Sequence, residues 1–199
     1  MSLFVGINYS DPRDQMDTSK QLNGCWNDML TMQQIMTTAG IMKPASGVAL
    51  SDMSHSQMRP TCDNLVREIT KIPTSTAAGK QTVLTLTYSG HGTQQSESLA
   101  DIRAGRADEA DGKDECICPC DVAVTGTLIT DDQLHSIWAA RIPANKVGLA
   151  LFDCCHSASV LDLPYLHNIN PATGALTITS ESAKRDYKAT IIAISGCKD

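Results

Sequence analysis

A chain of 199 residues, 42% hydrophobic and 19% charged, is long enough for one domain with a substantial core. Its net charge of −6 argues against a general nucleic-acid or membrane-surface binder and leaves cations and basic substrates as fitting partners. No run approaches the ~18 apolar residues of a membrane span, and MSLFVGINYS lacks the basic start and apolar length of a signal peptide, so a cytoplasmic chain is expected.

Ser2–Ile7 is β-branched and aromatic, and is predicted as a central strand. Asn8–Asp17 is a polar loop. Lys20–Ala39 carries apolar residues near helical spacing and is read as one long helix stopped by Gly40. Gly47–Leu50 is a short strand and Asp52–Pro60 a polar loop. Thr61–Lys71 is a helix with Leu65, Val66 and Ile69 on one face, and Pro73–Lys80 is turn-rich. The apolar run Thr82–Tyr88 is a buried strand that stops at Ser89-Gly90-His91-Gly92. Thr93–Lys113 has no apolar periodicity and reads as a long solvated loop, followed by an extended piece, Glu115–Val122. Asp131–Arg141 is a helix with Thr130 as N-cap and two acids in its first turn. Val147–Phe152 is a second buried strand, ending in Asp153-Cys154-Cys155-His156-Ser157. Leu163–Asp186 reads as another irregular loop, and Thr190–Ile194 as a last strand. Strands alternating with helices predict an α/β fold with a mostly parallel sheet.

Apolar strands that stop at reactive side chains are where such sheets carry chemistry. One strand delivers an imidazole and the other a thiol. A cysteine peptidase needs a thiolate, a base within reach and N–H donors for the oxyanion. Glycines beside His91 allow close approach of backbone and substrate. Cys155 lies just beyond its strand, where a following helix start would lower its pKa. Each group alone has a plainer reading, as a turn histidine or a buried thiol. Cys154 and Cys155 leave the strand on opposite sides, so only one can face His91. Cys116, Cys118 and Cys120 alternate onto one face. Zinc or thiol-redox chemistry is one reading of them, but no second ligand pair is evident, and burial is the other.

TLTYSGHGTQ and LALFDCCHSAS closely resemble the two catalytic motifs of metacaspases, caspase-fold cysteine peptidases. FVGINYS, LNGCWND, DECICPCD, LITDDQLH, SVLDLPY and ISGCKD resemble further family segments in the family's order, most like the type I arrangement. The resemblance implies a caspase-like three-layer sandwich around a mostly parallel sheet. It makes Cys155 the nucleophile, His91 the general base and acid, and the N–H groups of Gly92 and Cys155 the oxyanion donors. Cleavage after Arg or Lys is implied, with Asp28 and Asp153 as acidic S1 residues and Cys25 and Ser89 lining that pocket. Protein or peptide substrates with Arg or Lys at P1 are the implied partners. The resemblance also implies calcium (Ca2+) as cofactor, on Asp114, Asp131, Asp132 and Asp162; Asp131 and Asp132 read equally as helix-start acids.

Two departures stand out. Ala158 replaces the glycine that usually closes the nucleophile motif, and the chain ends at Asp199. The expectation is one p20-type catalytic domain over 1–199, ending just after the 190–194 strand. The p10-like part would be missing or supplied by a separate chain. Arg103 and Arg106, or Lys184, Arg185 and Lys188, are expected self-cleavage sites, with Lys184/Arg185 favoured. The competing readings are a catalytically silent caspase-fold binding module and a thiol or zinc protein.

Overall fold

The structure, a computed structural model, describes residues 1–74, 83–96, 112–157, 159–170, 172–180 and 187–196. Its elements are β1 (Ser2–Gly6), α1 (Cys25–Thr38), β2 (Gly47–Ser51), α2 (Cys62–Thr74), β3 (Val83–Ser89), β4 (Gly92–Ser96), β5 (Lys113–Ile117), α3 (Val122–Thr125), β6 (Ile129–Thr130), α4 (Asp131–Ile137), β7 (Val147–Asp153), β8 (Tyr165–Ile169), β9 (Leu176–Ser180) and β10 (Thr190–Ser195).

Five strands form one sheet in the order β10-β7-β3-β1-β2, and every pairing is parallel. Parallel neighbours need crossover connections; α1, α2 and α4 lie in those between β1 and β7, and the β8-β9 hairpin lies in the one from β7 to β10. Side-chain alternation assigns the two faces. Leu3, Val5 and Ile7, with Leu84, Leu86, Tyr88, Ala150 and Phe152, join one core with Leu65, Ile69 and Ile72 of α2 and Leu134 of α4. Phe4 points the other way, to Met29 and Met36 of α1 and to Met42, with Leu149 and Leu151 against the same cluster. The result is the three-layer α/β/α sandwich expected from the sequence. A smaller antiparallel sheet, β4-β5-β6, and a β8-β9 hairpin complete the described elements.

Parallel registry brings the strands' carboxyl ends to one edge. Gly6 is opposite Ser89, Ser89 is opposite Asp153, and Ser195 is opposite Phe152. Everything that follows β3 and β7 therefore starts at the same level.

Several expected boundaries move. The long helix begins at Cys25, because the preceding chain is drawn elsewhere. Leu22 N–H donates to Asn8 O at 2.8 Å, and the Asn8 side chain accepts from Cys25 N–H at 3.0 Å. Lys20 instead ends a short 3-10 turn whose N-cap, Asp17, accepts from Ser19 N–H. The expected loop after His91 begins as β4, paired to β5; its polar side chains hide a strand held by backbone bonds. The extended piece ends as β5 at Ile117, and Val122–Thr125 is a helical turn. The loop after Leu163 contains the β8-β9 hairpin. The second helix runs on to Thr74 with Pro73 inside its last turn, while Asp131–Arg141 breaks at Trp138 into α4 and a 3-10 turn.

Candidate active site

Because Ser89 pairs with Asp153, His91 and Cys155 each lie two positions past a matched pair, on the two adjacent inner strands. The turns that carry them touch. Gly90 N–H donates to Asp153 O at 3.3 Å. A Cβ built on Gly92 would sit 1.9 Å from the Cys155 carbonyl oxygen, so that contact admits only glycine.

The adjacent thiols separate by exposure. Cys155 is exposed and Cys154 buried, with burial pushing the Cys154 thiol up to about 12. A thiol held that high stays protonated and inert at neutral pH. The chain after Cys155 is a series of bends and turns, not the helix start expected from sequence. His156 takes a positive φ of 51°. Ser157 Oγ donates to Cys154 O at 2.9 Å, and Ser195 Oγ of β10 donates to Ser157 O at 2.6 Å, tying this turn to the sheet edge.

His91 is held through its ring and through both polar groups of its backbone. Its Nε2 lies 2.6 Å from the Lys20 carbonyl oxygen. A carbonyl only accepts, so Nε2 is the donor in this contact, and in the neutral imidazole Nδ1 is the nitrogen with the lone pair. The His91 N–H donates to the Tyr9 hydroxyl at 2.9 Å, and its carbonyl accepts from the Tyr88 hydroxyl at 2.8 Å and from Cys118 N–H at 3.1 Å. The Tyr9 ring lies against the imidazole with centroids 4.7 Å apart.

Beside this pair, at the ends of β1, β3, β7 and β10, a pocket of about 300 Å³ opens. Asp28, Ser89 and Asp153 line it. Ser89 Oγ donates to Asp28 Oδ2 at 3.3 Å. Met29, Met32, Leu151 and Ile194 give it apolar walls. Two carboxylates over aliphatic walls suit a long cationic side chain, whose stem needs apolar cover and whose head needs an anion. Cys25 lies next to this group; burial raises its thiol pKa, against a hydrogen bond with Ser89 and with Asp28 and Asp153 close by. It is buried and does not line the pocket.

The four carboxylates expected to hold calcium are dispersed in role. Asp131 is buried and accepts from Glu115 N–H and Asp132 N–H, both at 2.7 Å. Asp114 accepts from Gln95 across the β4-β5 pair at 3.4 Å. Asp132 sits in the first turn of α4. Asp162 is buried, at a φ of 49°. Among the described residues no three or more His, Cys, Asp or Glu side chains are grouped so as to hold a metal ion. No step below runs through calcium. Cys116, Cys118 and Cys120 are buried with thiols pushed up to about 12, 11 and 12, burial being the main cause.

Several participants escaped the sequence reading. The Lys20 carbonyl has no residue-type signature, since any residue could offer it. Tyr9 read as a loop residue and Tyr88 as a strand residue. Glu115 is buried, accepts from Ser159 Oγ at 2.7 Å and from Gln94 Nε2 at 2.9 Å, and so joins the segment after Cys155 to β4 and β5. Its position in an acidic stretch was the sole available signal. Arg103, Arg106, Lys184, Arg185 and Ala158 lie outside the described residues, whereas Lys188 lies just before β10.

Among the described residues no helix is long and apolar enough to cross a membrane. A family model described as metacaspase, peptidase C14 domain, matches residues 1–164. Metacaspase-2 of Trypanosoma brucei brucei is 33% identical over 100% of this chain and 54% of its own length. Inactive metacaspase-4 of the same organism is 29% identical over 99% of this chain and 52% of its own. The chain thus spans about half the length of these curated relatives. A crystal structure of a protein from Geobacter sulfurreducens aligns with all of this chain and 73% of its own, with a TM-score of 0.62 and 25% identity. With the family model covering most of its length and both motifs in place at one sheet edge, the chain belongs to the metacaspase family.

Proposed function

We propose that the chain is a cysteine endopeptidase cleaving protein or peptide substrates after Arg or Lys, with Cys155 as nucleophile and His91 as base and acid. The single observation that carries this is the β3-β7 registry, which starts the turns of His91 and Cys155 from a matched pair beside a pocket lined by Asp28 and Asp153. With Nε2–H donated to the Lys20 carbonyl, Nδ1 of His91 accepts the Cys155 proton. The thiolate attacks the carbonyl carbon after the basic residue. The oxyanion then takes hydrogen bonds from the N–H groups of Gly92 and Cys155. The imidazolium returns its proton to the leaving amine, and the C–N bond breaks. Water, deprotonated by His91, hydrolyses the thioester and frees Cys155.

The substrate cation is held by charge-assisted hydrogen bonds to Asp28 and Asp153, with its stem along Met29 and Met32. Self-processing at Lys184 or Arg185 belongs to the same proposal and rests on basic residues in a stretch that reads as a loop in the sequence; activation by calcium rests on the family resemblance. So does a p10-like chain as partner.

The test is an Arg-based fluorogenic peptide, with calcium titrated against a chelator and Cys155→Ala measured alongside. Cleavage abolished by the substitution supports the peptidase. Peptide binding without cleavage, also after a p10-like chain is added, favours the silent module. New chain termini in the incubated wild type, absent in Cys155→Ala, support self-processing.

A further inference from the structure

The geometry points to Tyr9 as a positioning residue for His91, acting through its hydroxyl on the histidine backbone and through its ring on the imidazole. This rests on the dyad reading above. Tyr9 is fully buried, yet its backbone takes a positive φ of 56°. Bulky side chains rarely adopt that region, and such strain persists where the surroundings over-determine it, often at functional sites. What the conformation achieves is visible. Tyr9 follows β1 past the sheet edge, and the turn carries its ring to the imidazole face at 4.7 Å and its hydroxyl to the His91 N–H at 2.9 Å.

The hydroxyl does not act alone. It donates to Cys118 O at 2.7 Å and lies 3.1 Å from the Tyr88 hydroxyl, which bonds the His91 carbonyl at 2.8 Å. Two buried tyrosines thus hold both polar groups of the His91 backbone. The Lys20 carbonyl and the Tyr9 ring then hold the imidazole. Gly90 is part of this device: a Cβ there would lie 2.7 Å from the Tyr88 hydroxyl and 3.1 Å from that of Tyr9. These contacts of Tyr9 reach neither Cys155 nor the pocket carboxylates, so its effect on chemistry runs through His91, whereas Tyr88 also lines the pocket.

Tyr9→Phe keeps the ring and removes the hydroxyl. Two readings are taken on the full chain. One is kcat and KM on the Arg peptide. The other is the rate at which iodoacetamide alkylates Cys155 at neutral pH, mapped by mass spectrometry beside His91→Ala. The expected result is a fall in kcat of about tenfold with KM within twofold, and an alkylation rate moved toward that of His91→Ala. A role in packing alone would change neither.

Tyr88→Phe is the second variant and serves if Tyr9→Phe does not fold. Its loss should be smaller, because Cys118 N–H still donates to the His91 carbonyl. An alkylation rate lowered by His91→Ala but unchanged in Tyr9→Phe, or in Tyr88→Phe where that variant stands in, overturns the positioning role and leaves the dyad intact. A rate unmoved by His91→Ala overturns the dyad and this role with it.

Discussion

Gly90 and Gly92 flank the same imidazole, yet each answers a different neighbour. The first makes room for two tyrosine hydroxyls, the second for the Cys155 carbonyl. Gly92→Ala must push the nucleophile turn away from His91, and displacement of about 1 Å in a reacting group costs roughly a hundredfold in rate. The expectation is a loss of that order in kcat/KM, with circular dichroism unchanged at 25 °C; wild-type activity in the folded variant would falsify the contact. At the pocket, Asp153→Asn keeps the shape and removes one charge. Loss of a charge-assisted hydrogen bond to a substrate guanidinium lowers kcat/KM for Arg peptides by about tenfold. Inhibition by a thiol reagent that makes no use of the pocket should be unaffected, which separates a specificity defect from damage to the dyad. The motif residues were legible in the sequence because their chemistry is rare and their strand context is local. Residue chemistry alone left Cys154 and Cys155 open; the family resemblance selected Cys155, and the packing buries Cys154 and exposes Cys155.

At the scale of elements, the N-cap expected at Thr130 is present, as half of a capping box with Gln133. Thr130 Oγ1 accepts from Gln133 N–H at 3.2 Å, and Gln133 Oε1 accepts from Thr130 N–H at 3.3 Å. Thr130→Ala should cost about 1 kcal/mol. For a chain of this size that lowers Tm by about 2–4 °C, measurable by calorimetry. An unchanged Tm would mean that tertiary packing through Leu134 and Trp138 holds this turn without its cap. The parallel strands were readable because each carries a short run of apolar and β-branched residues. Strands β4, β8 and β9 were not. Thr93–Ser96 is polar, and Tyr165, Ile169, Leu176 and Ile178 are exposed, so neither pattern carries the burial contrast that periodicity detects. The start of α1 was also misplaced, because the decision belongs to Asn8, seventeen residues earlier in the chain.

Over the whole molecule, the buried acids of high pKa set a limit at alkaline pH. Cys116, Cys118, Cys120 and Cys154 move from an ordinary 9.0 to about 11 or 12, and Tyr9 and Tyr88 rise well above 10.0, mainly through burial. Unfolded, these groups lose protons at their ordinary values; folded, they keep them. The folded state therefore binds more protons above about pH 9, and stability falls as pH rises. The contribution is complete below pH 9 and is lost as pH climbs through the raised values. Thermal melts between pH 7 and pH 11 should show Tm declining from about pH 9 upward. A flat profile to pH 11 would contradict burial of these groups.

By itself the sequence determined the α/β class, where along the chain the sheet-forming strands lie, and the thiol and imidazole that end two of them. Those properties are local: periodicity, rare side chains, and turn residues written at each position. Only the tertiary structure decided that Ser89 pairs with Asp153, that α1 and β10 close a pocket around two distant carboxylates, and that the Lys20 carbonyl and the Tyr9 ring hold His91. Strand registry and shared burial are properties of pairs far apart in the chain, and a backbone carbonyl carries no residue identity. Such contacts exist only once the sheet has brought its edges together.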